Sequence, residues 1–373
     1  MTMALPAMLT ERLAGIVQKK QPAIVYGPIG IDFGPNGLRL AQFRNNKQTL
    51  ELHASAIIPY VDQLSLPGRQ TRALFKKLFR EHGFVGRDVV TCIQPAETKI
   101  MMLSFMHQAG KQDEELIVQR VAERVDDNVD DYVIDYMMVR PVNKDGQERS
   151  VLVAMAQREV VVNYLEQLRK AGLKVNVLEI EPTAIRRLVS VRHGNENSAN
   201  LMTVSMGYAQ TYITVLSGRR LIYERDVNFG EQQLIAILCK ELDLDENEAR
   251  TMLVRDDTNV HADESENNNS AAITDALYGV LKPMFMELVE DINSALVYAA
   301  SETRGLPVKH VYLTNLVATW CGIEKFVDSM INVPVSVLMP FDGFNNAEAF
   351  AADSDPRGAV VTGMALHGMT EAG

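Results

Sequence analysis

Cysteine is scarce in this chain and tryptophan nearly absent: Cys92, Cys239, Cys321 and one Trp in 373 residues. The cysteines are far apart, with no CxxC pair and no histidine-rich neighbourhood. That excludes a disulfide framework and a cysteine metal site, and suits a reducing cytoplasm. Histidine is thinly spread: His53, His82, His107, His193, His261, His310 and His367 show no HExxH spacing, and there is no serine elbow. Each reads as a surface or satisfied core residue. No apolar run reaches the roughly 18 residues of a membrane span. The N-terminus has no basic n-region and its apolar stretch is broken by Glu11 and Arg12, so it is not expected to be a secretory signal. Positive charge is also short, 37 basic against 48 acidic residues for a net −11. Such a balance argues against nucleic acid and against an anionic lipid surface as direct partners, so membrane association would need an adaptor.

What is present is 47% hydrophobic and 23% charged residues, a globular composition long enough for two domains. The most informative stretch runs from Ile29 to Phe43. Its apolar run breaks at Asp32 and Gly34, passes through Pro35-Asn36-Gly37 and resumes at Leu38 and Leu40, a β-hairpin pattern. Taken alone, Asp32 and Gly34 fit either a plain turn or an anion cradle, because a glycine lets backbone N–H groups approach a phosphate. A second copy weighs for the cradle. Leu201 to Val215 is again strand-turn-strand, and aligning Gly207 with Gly34 sets Ser205 opposite Asp32. Both copies continue through a turn, Asn45-Asn46-Lys47 and Ser217-Gly218-Arg219, into another apolar strand, which makes an internal repeat.

The remaining organisation follows from periodicity. Leu9, Leu13, Ile16 and Val17 share one face of a short helix. From residue 61 to about 181 strands and helices alternate as in an inserted α/β subdomain, with a turn at Lys144-Asp145-Gly146 and a helix, Arg158 to Ala171, closed by Gly172. Glu181-Pro182-Thr183 opens another helix. The polar run His193 to Asn200 marks the boundary between halves, giving a first lobe 1–195 and a second lobe 196–373 whose C-terminal helix returns to the first. In the second half Gly230 ends the meander, Asp256 to Ser270 reads as an acidic loop, and Ala271 to Ser301 as a long helix containing Pro283. A strand leads to Thr314-Asn315 and then to a helix with Trp320. The acids Glu123, Asp126, Asp127, Asp130 and Asp131 read as a solvated face or a patch for a basic partner rather than as paired catalytic carboxylates.

Two hairpin-led halves with an insertion in the first match the actin, Hsp70 and sugar-kinase superfamily. The residues Gly30 to Gly34 with Leu38-Arg39-Leu40, the run Val177 to Ala184, Gly207, Asp245 to Ala249, Asp291-Ile292 and Gly363 to Leu366 resemble the PilM family of type IV pilus assembly, relatives of FtsA. The resemblance implies an α/β, two-lobed actin-like fold with an FtsA-type subdomain inserted in the first half. It implies ATP and Mg between the lobes, with Asp32, Gly34, Asn36, Gly37, Arg39, Ser205, Gly207, Gly230, Thr314 and Asn315 at the nucleotide and Asp32 at the metal. As partners it implies the cytoplasmic N-terminal peptide of a PilN-like inner-membrane protein, held beside the insertion, and other pilus assembly components. The expected location is cytoplasmic, peripheral at the inner membrane, with no direct insertion.

Departures from that pattern bear on the chemistry. Pro35 stands where a Ser or Thr is usual and offers no N–H. Ser205 replaces an acid that would help hold a hard cation. Thr314-Asn315 replaces a Gly-Gly pair, and Asn293 and Ser294 stand where arginine is usual. The expectation is therefore a scaffold with a degenerate nucleotide site and no catalytic residues. The alternatives are an active ATP-hydrolysing actin-like protein, or a component like GspL or those of mannose-sensitive pili. A fragment of residues 1 to 200 is expected to bind the PilN-like peptide unaided.

Overall fold

A computed structural model describes residues 24–35, 37–47, 49–59, 69–125, 128–141, 148–193, 199–253 and 264–369. The helix expected over 9–17, the turn at 144–146, Asn36 and the start of the acidic stretch, 256–263, lie outside these residues.

The described chain opens with an antiparallel meander, β1 (Val25–Gly34), β2 (Gly37–Asn46) and β3 (Thr49–Pro59). Strand side chains alternate between faces, so Ile29, Ile31, Leu38 and Leu40 all point to one side, where they are fully buried. Phe75, Leu78 and Phe79 of α1 (Arg69–Glu81) cover them. β4 (Asp88–Cys92) joins β1 in parallel. The chain then leaves the sheet for β5 (Thr98–Met106), α2 (Asp113–Ala122), β6 (Tyr132–Pro141) and β7 (Glu148–Gln157). These strands form their own three-stranded sheet, order β5-β7-β6, with Leu116, Ile117 and Val121 of α2 packed on one face. The helix α3 (Arg158–Lys170) ends as expected at Gly172, whose φ of +83° is the left-handed turn that glycine adopts without strain. β8 (Lys174–Glu179) returns beside β4, completing the order β3-β2-β1-β4-β8, and α4 (Glu181–His193) follows. Thus β4 and β8 lie within the stretch 61–181 yet belong to the first sheet, and the separate sheet spans 98–157.

The second half repeats this plan. β9 (Asn200–Met206), β10 (Thr211–Ser217) and β11 (Arg220–Val227) form a meander, followed by α5 (Glu231–Leu242), α6 (Glu246–Leu253) and α7 (Glu264–Glu302). β12 (Val308–Thr314), α8 (Ile323–Asp328) and β13 (Val335–Val337) complete a sheet of order β11-β10-β9-β12-β13. Each sheet is thus three antiparallel strands extended by two parallel ones, so the repeat read from two hairpins covers whole sheets. Two expected boundaries move. α7 starts at Glu264 instead of Ala271, because polar residues with an acid at the N-terminal end are compatible with a helix when its apolar stripe is anchored further on. Trp320 is not helical; it follows a tight turn over Val317–Thr319, is buried, and precedes α8.

The last helix, α9 (Ala359–Ala365), packs on the first sheet, between β1 and α4. Glycines permit this. A Cβ at Gly30 would come within 2.9 Å of the Ala365 nitrogen, and one at Gly363 would overlap the Ala184 carbonyl. Among the described residues no helix is long and apolar enough to cross a membrane.

Candidate functional site

The two hairpins face each other across a narrow cleft closed by the start of α4. Asp32 lies near the end of β1, Ser205 at the equivalent place on β9, and Glu181 is the first residue of α4. Glu181 is buried and accepts hydrogen bonds from the Ser205 hydroxyl and, at 2.9 Å, from the Asn315 amide. Its pKa is pushed up to about 7 by burial and by the nearby Asp32 charge, against the lowering effect of those two hydrogen bonds. Asp32 is also raised by burial, while Arg39, 3.7 Å away, pulls the other way. Asn315 can aim its amide inward because its backbone is left-handed, with φ +74°, a conformation that asparagine tolerates better than most residues.

Side chains occupy much of this cleft. The Arg39 guanidinium lies where a Cβ on Gly34 would be, and Asn315 closes the opposite wall, 3.5 Å from the Cβ position of Gly207. The Gly207 N–H is already donated to the Gln210 carbonyl at 2.9 Å. The remaining cavity is about 110 Å³. Asp32, Gly34, Arg39, Gly207 and Asn315 line it; Ser205 is buried behind, against Glu181. Three expected residues stand elsewhere. Gly37 is paired within the hairpin, against Gly34 and Pro59. Gly230 precedes α5, where a Cβ would strike the Tyr208 carbonyl. Thr314 is buried and donates to the Pro356 carbonyl at 2.8 Å. Asn293 and Ser294 are exposed on α7, and the Ser294 hydroxyl bonds back to the Glu290 carbonyl.

Glu181 was missed as a site residue although its signal was in the sequence, an acid immediately before Pro-Thr at a strand-to-helix junction. It supplies a carboxyl beside Ser205, where the repeat lacks one. Asp32 and Glu181 suit a hydrated Mg ion, which takes one or two carboxylates and keeps several waters. No cluster of three ligating side chains occurs among the described residues. The cavity is smaller than the roughly 300 Å³ or more that small-molecule sites enclose, the Gly207 N–H is used within its own hairpin, and Pro35 has none.

A second hollow is larger. Between the separate sheet and the β8–α4 segment lies a groove of about 520 Å³, walled by Val133, Met137, Leu152, Ala154, Val177 and Ile180 among others. Arg187 borders it, held by two hydrogen bonds to Glu179 at 2.9 and 2.7 Å and a third to the Gly363 carbonyl.

Two sheets of the same order, facing across a cleft with an acid-bearing hairpin, define an actin-like fold. A family model described as type IV pilus assembly protein PilM matches residues 30–368. The chain belongs to the PilM family of type IV pilus assembly proteins. Among solved structures, a PilM-PilN type IV pilus biogenesis complex has a chain that is 20% identical, with 92% of this chain and 98% of that one covered and a TM-score of 0.70. The ethanolamine utilization protein EutJ of Carboxydothermus hydrogenoformans is 16% identical, with coverages of 92% and 90% and a TM-score of 0.49. MreB5 of Spiroplasma citri bound to ADP is 10% identical, with coverages of 94% and 97% and a TM-score of 0.45.

Proposed function

We propose that this protein is a cytoplasmic actin-like scaffold of a type IV pilus machine. It is held at the inner membrane by the N-terminal peptide of a PilN-like protein, and its inherited nucleotide cleft no longer takes ATP tightly. The contrast between the two hollows carries this reading: the cleft is reduced to about 110 Å³ by Arg39 and Asn315, whereas the groove beside the separate sheet offers about 520 Å³ of largely apolar wall. A short extended peptide buries apolar side chains well in such a groove. The PilN in the similar complex supports a PilN-like protein as the occupant. In this reading the lobes are 1–195 and 196–373, and the inserted subdomain is the separate sheet over 98–157. Calorimetry tests the cleft. Magnesium-ATP is expected to give no heat at micromolar concentrations, and a low-micromolar Kd would overturn that part.

The Asp32 and Glu181 carboxyls favour a second reading, an ATP-hydrolysing assembly protein in which these acids hold Mg. Steady ATP turnover that disappears in Asp32→Ala would establish it.

A further inference from the structure

Beside the apolar groove lies a further cavity of about 590 Å³ that shares Met137, Thr183, Arg186 and Arg187 with it. The pair follows β6, with Val133 and Asp135 beside the groove and Met138 and Val139 beside the second cavity. At about 3.3 Å per residue those positions span roughly 20 Å of extended chain. The second cavity differs in charge. Arg186, Arg187, Arg219 and Arg220 border it and, among the described residues, no Asp or Glu does, in a chain whose net charge is −11.

These arginines are not equivalent. Arg187 is neutralised by its fork onto Glu179. Arg219 is exposed on the β10–β11 turn of the second lobe. Arg186 is half-buried on α4, and its one side-chain hydrogen bond among the described residues goes to the Met137 sulfur, a weak acceptor. Two acids attract it: Glu224, which accepts from Thr214 and is driven toward its neutral form by burial, and Glu179, whose two oxygens are already taken by Arg187. A half-buried guanidinium with no carboxylate hydrogen-bonded to it among the described residues is costly, and a ligand carboxylate with bidentate geometry would offset that cost.

We propose that the peptide occupying the apolar groove carries an acidic side chain beyond its apolar residues, received by Arg186 and Arg219 in the second cavity. The inference rests on the groove reading above. It also makes the partner touch both lobes, since Arg186 belongs to the first and Arg219 to the second. The alternative occupant of such a basic cavity is an anionic lipid headgroup; the four lining residues shared with the peptide groove favour the peptide.

Fluorescence anisotropy with the full chain and the labelled N-terminal segment of the PilN-like protein tests this. The segment is prepared with its native acidic residues and with their amide counterparts. Arg186→Gln and the exposed Arg219→Glu are each expected to weaken binding of the native peptide about tenfold and to flatten its salt dependence. The amide peptide is expected to bind wild type about tenfold more weakly and to lose little more on Arg186→Gln. Val177→Asp, within the groove, is expected to abolish binding of both. Should the arginine variants bind like wild type while Val177→Asp does not bind, the acidic contact is wrong and the groove reading stands. Absence of binding to wild type instead removes the groove reading, and this inference with it. If Arg219→Glu keeps its peptide affinity but loses binding to phosphatidylglycerol vesicles that wild type shows, the cavity serves lipid and the proposal is overturned.

Discussion

Glu181 is a carboxyl placed where its ionised form is disfavoured, and the sign of the consequence can be worked out. Its pKa in the fold, about 7, exceeds the ordinary value of 4.5. Between those pH values the folded chain holds a proton that the unfolded chain has released, so this group's contribution to stability falls as pH rises from about 4.5 to about 7 and is level beyond. Burial of that size amounts to roughly 3 kcal/mol at most. Glu181→Gln is therefore expected to be more stable relative to wild type at pH 8 than at pH 5 in urea denaturation. An identical difference at both pH values would contradict the burial argument. Asn315 offers a second test, of backbone rather than charge. Asn315→Gly keeps the left-handed turn and loses the bond to Glu181, costing about 1 kcal/mol. Asn315→Ala adds left-handed strain of about 1 kcal/mol more. Equal melting temperatures for the two variants would remove strain from the account.

At the scale of elements, α9 is seated by the absence of side chains. Gly363 faces the Ala184 carbonyl so closely that a methyl group cannot be accommodated without moving α9 away from α4. Gly363→Ala is expected to cost about 2 kcal/mol or more, by overpacking against backbone. Gly279, inside α7, has open space at its Cβ position, so Gly279→Ala is expected to stabilise by about 0.5 to 1 kcal/mol through helix propensity. Chemical denaturation of both variants checks the pair. Opposite signs support the packing, and a loss of stability at both sites would count against it. The start of α6 was legible in outline and is exact in its bonding. Asp245 Oδ1 accepts from the Glu248 N–H and Glu248 Oε2 from the Asp245 N–H, both at 2.9 Å, a reciprocal cap on a helix whose sequence shows acids in its first turn.

For the whole molecule, the packing does not follow chain order. The first sheet takes its covering helix α9 from residues 359–365, far from its own strands in sequence. A fragment of residues 1–200 consequently exposes the apolar surface at Gly30, Ala184 and Leu188 that α9 covers. Such a fragment is expected to lack cooperative thermal unfolding by circular dichroism, and joining residues 356–369 to it through a flexible linker is expected to restore a transition. A sharp transition in the fragment alone would show that α9 is dispensable. This revises the expectation that the fragment binds a peptide unaided, since the groove's α4 wall depends on α9 behind it.

Much of the fold was legible because its signals are local. Alternating apolar residues in β1 and β2, the glycine closing α3 and the proline opening α4 each act within a few residues, and two similar hairpins revealed the repeat. The site was legible only in part. Asp32, Gly34, Arg39, Gly207 and Asn315 reach the cleft, whereas Gly37, Gly230 and Thr314 are used for packing and pairing, a difference that spacing does not encode. The sequence by itself determined the strand-and-turn plan, the doubled hairpin and a serine, Ser205, opposite Asp32 in the repeat. Only the tertiary structure decided that Glu181 stands beside Ser205, that Arg39 and Asn315 fill the cleft, and which glycines seat the C-terminal helix on the first sheet. The reason is physical: hydrogen bonding and side-chain alternation along a strand are settled by neighbours in sequence, but burial, charge and closure are settled by groups that meet only when distant segments pack.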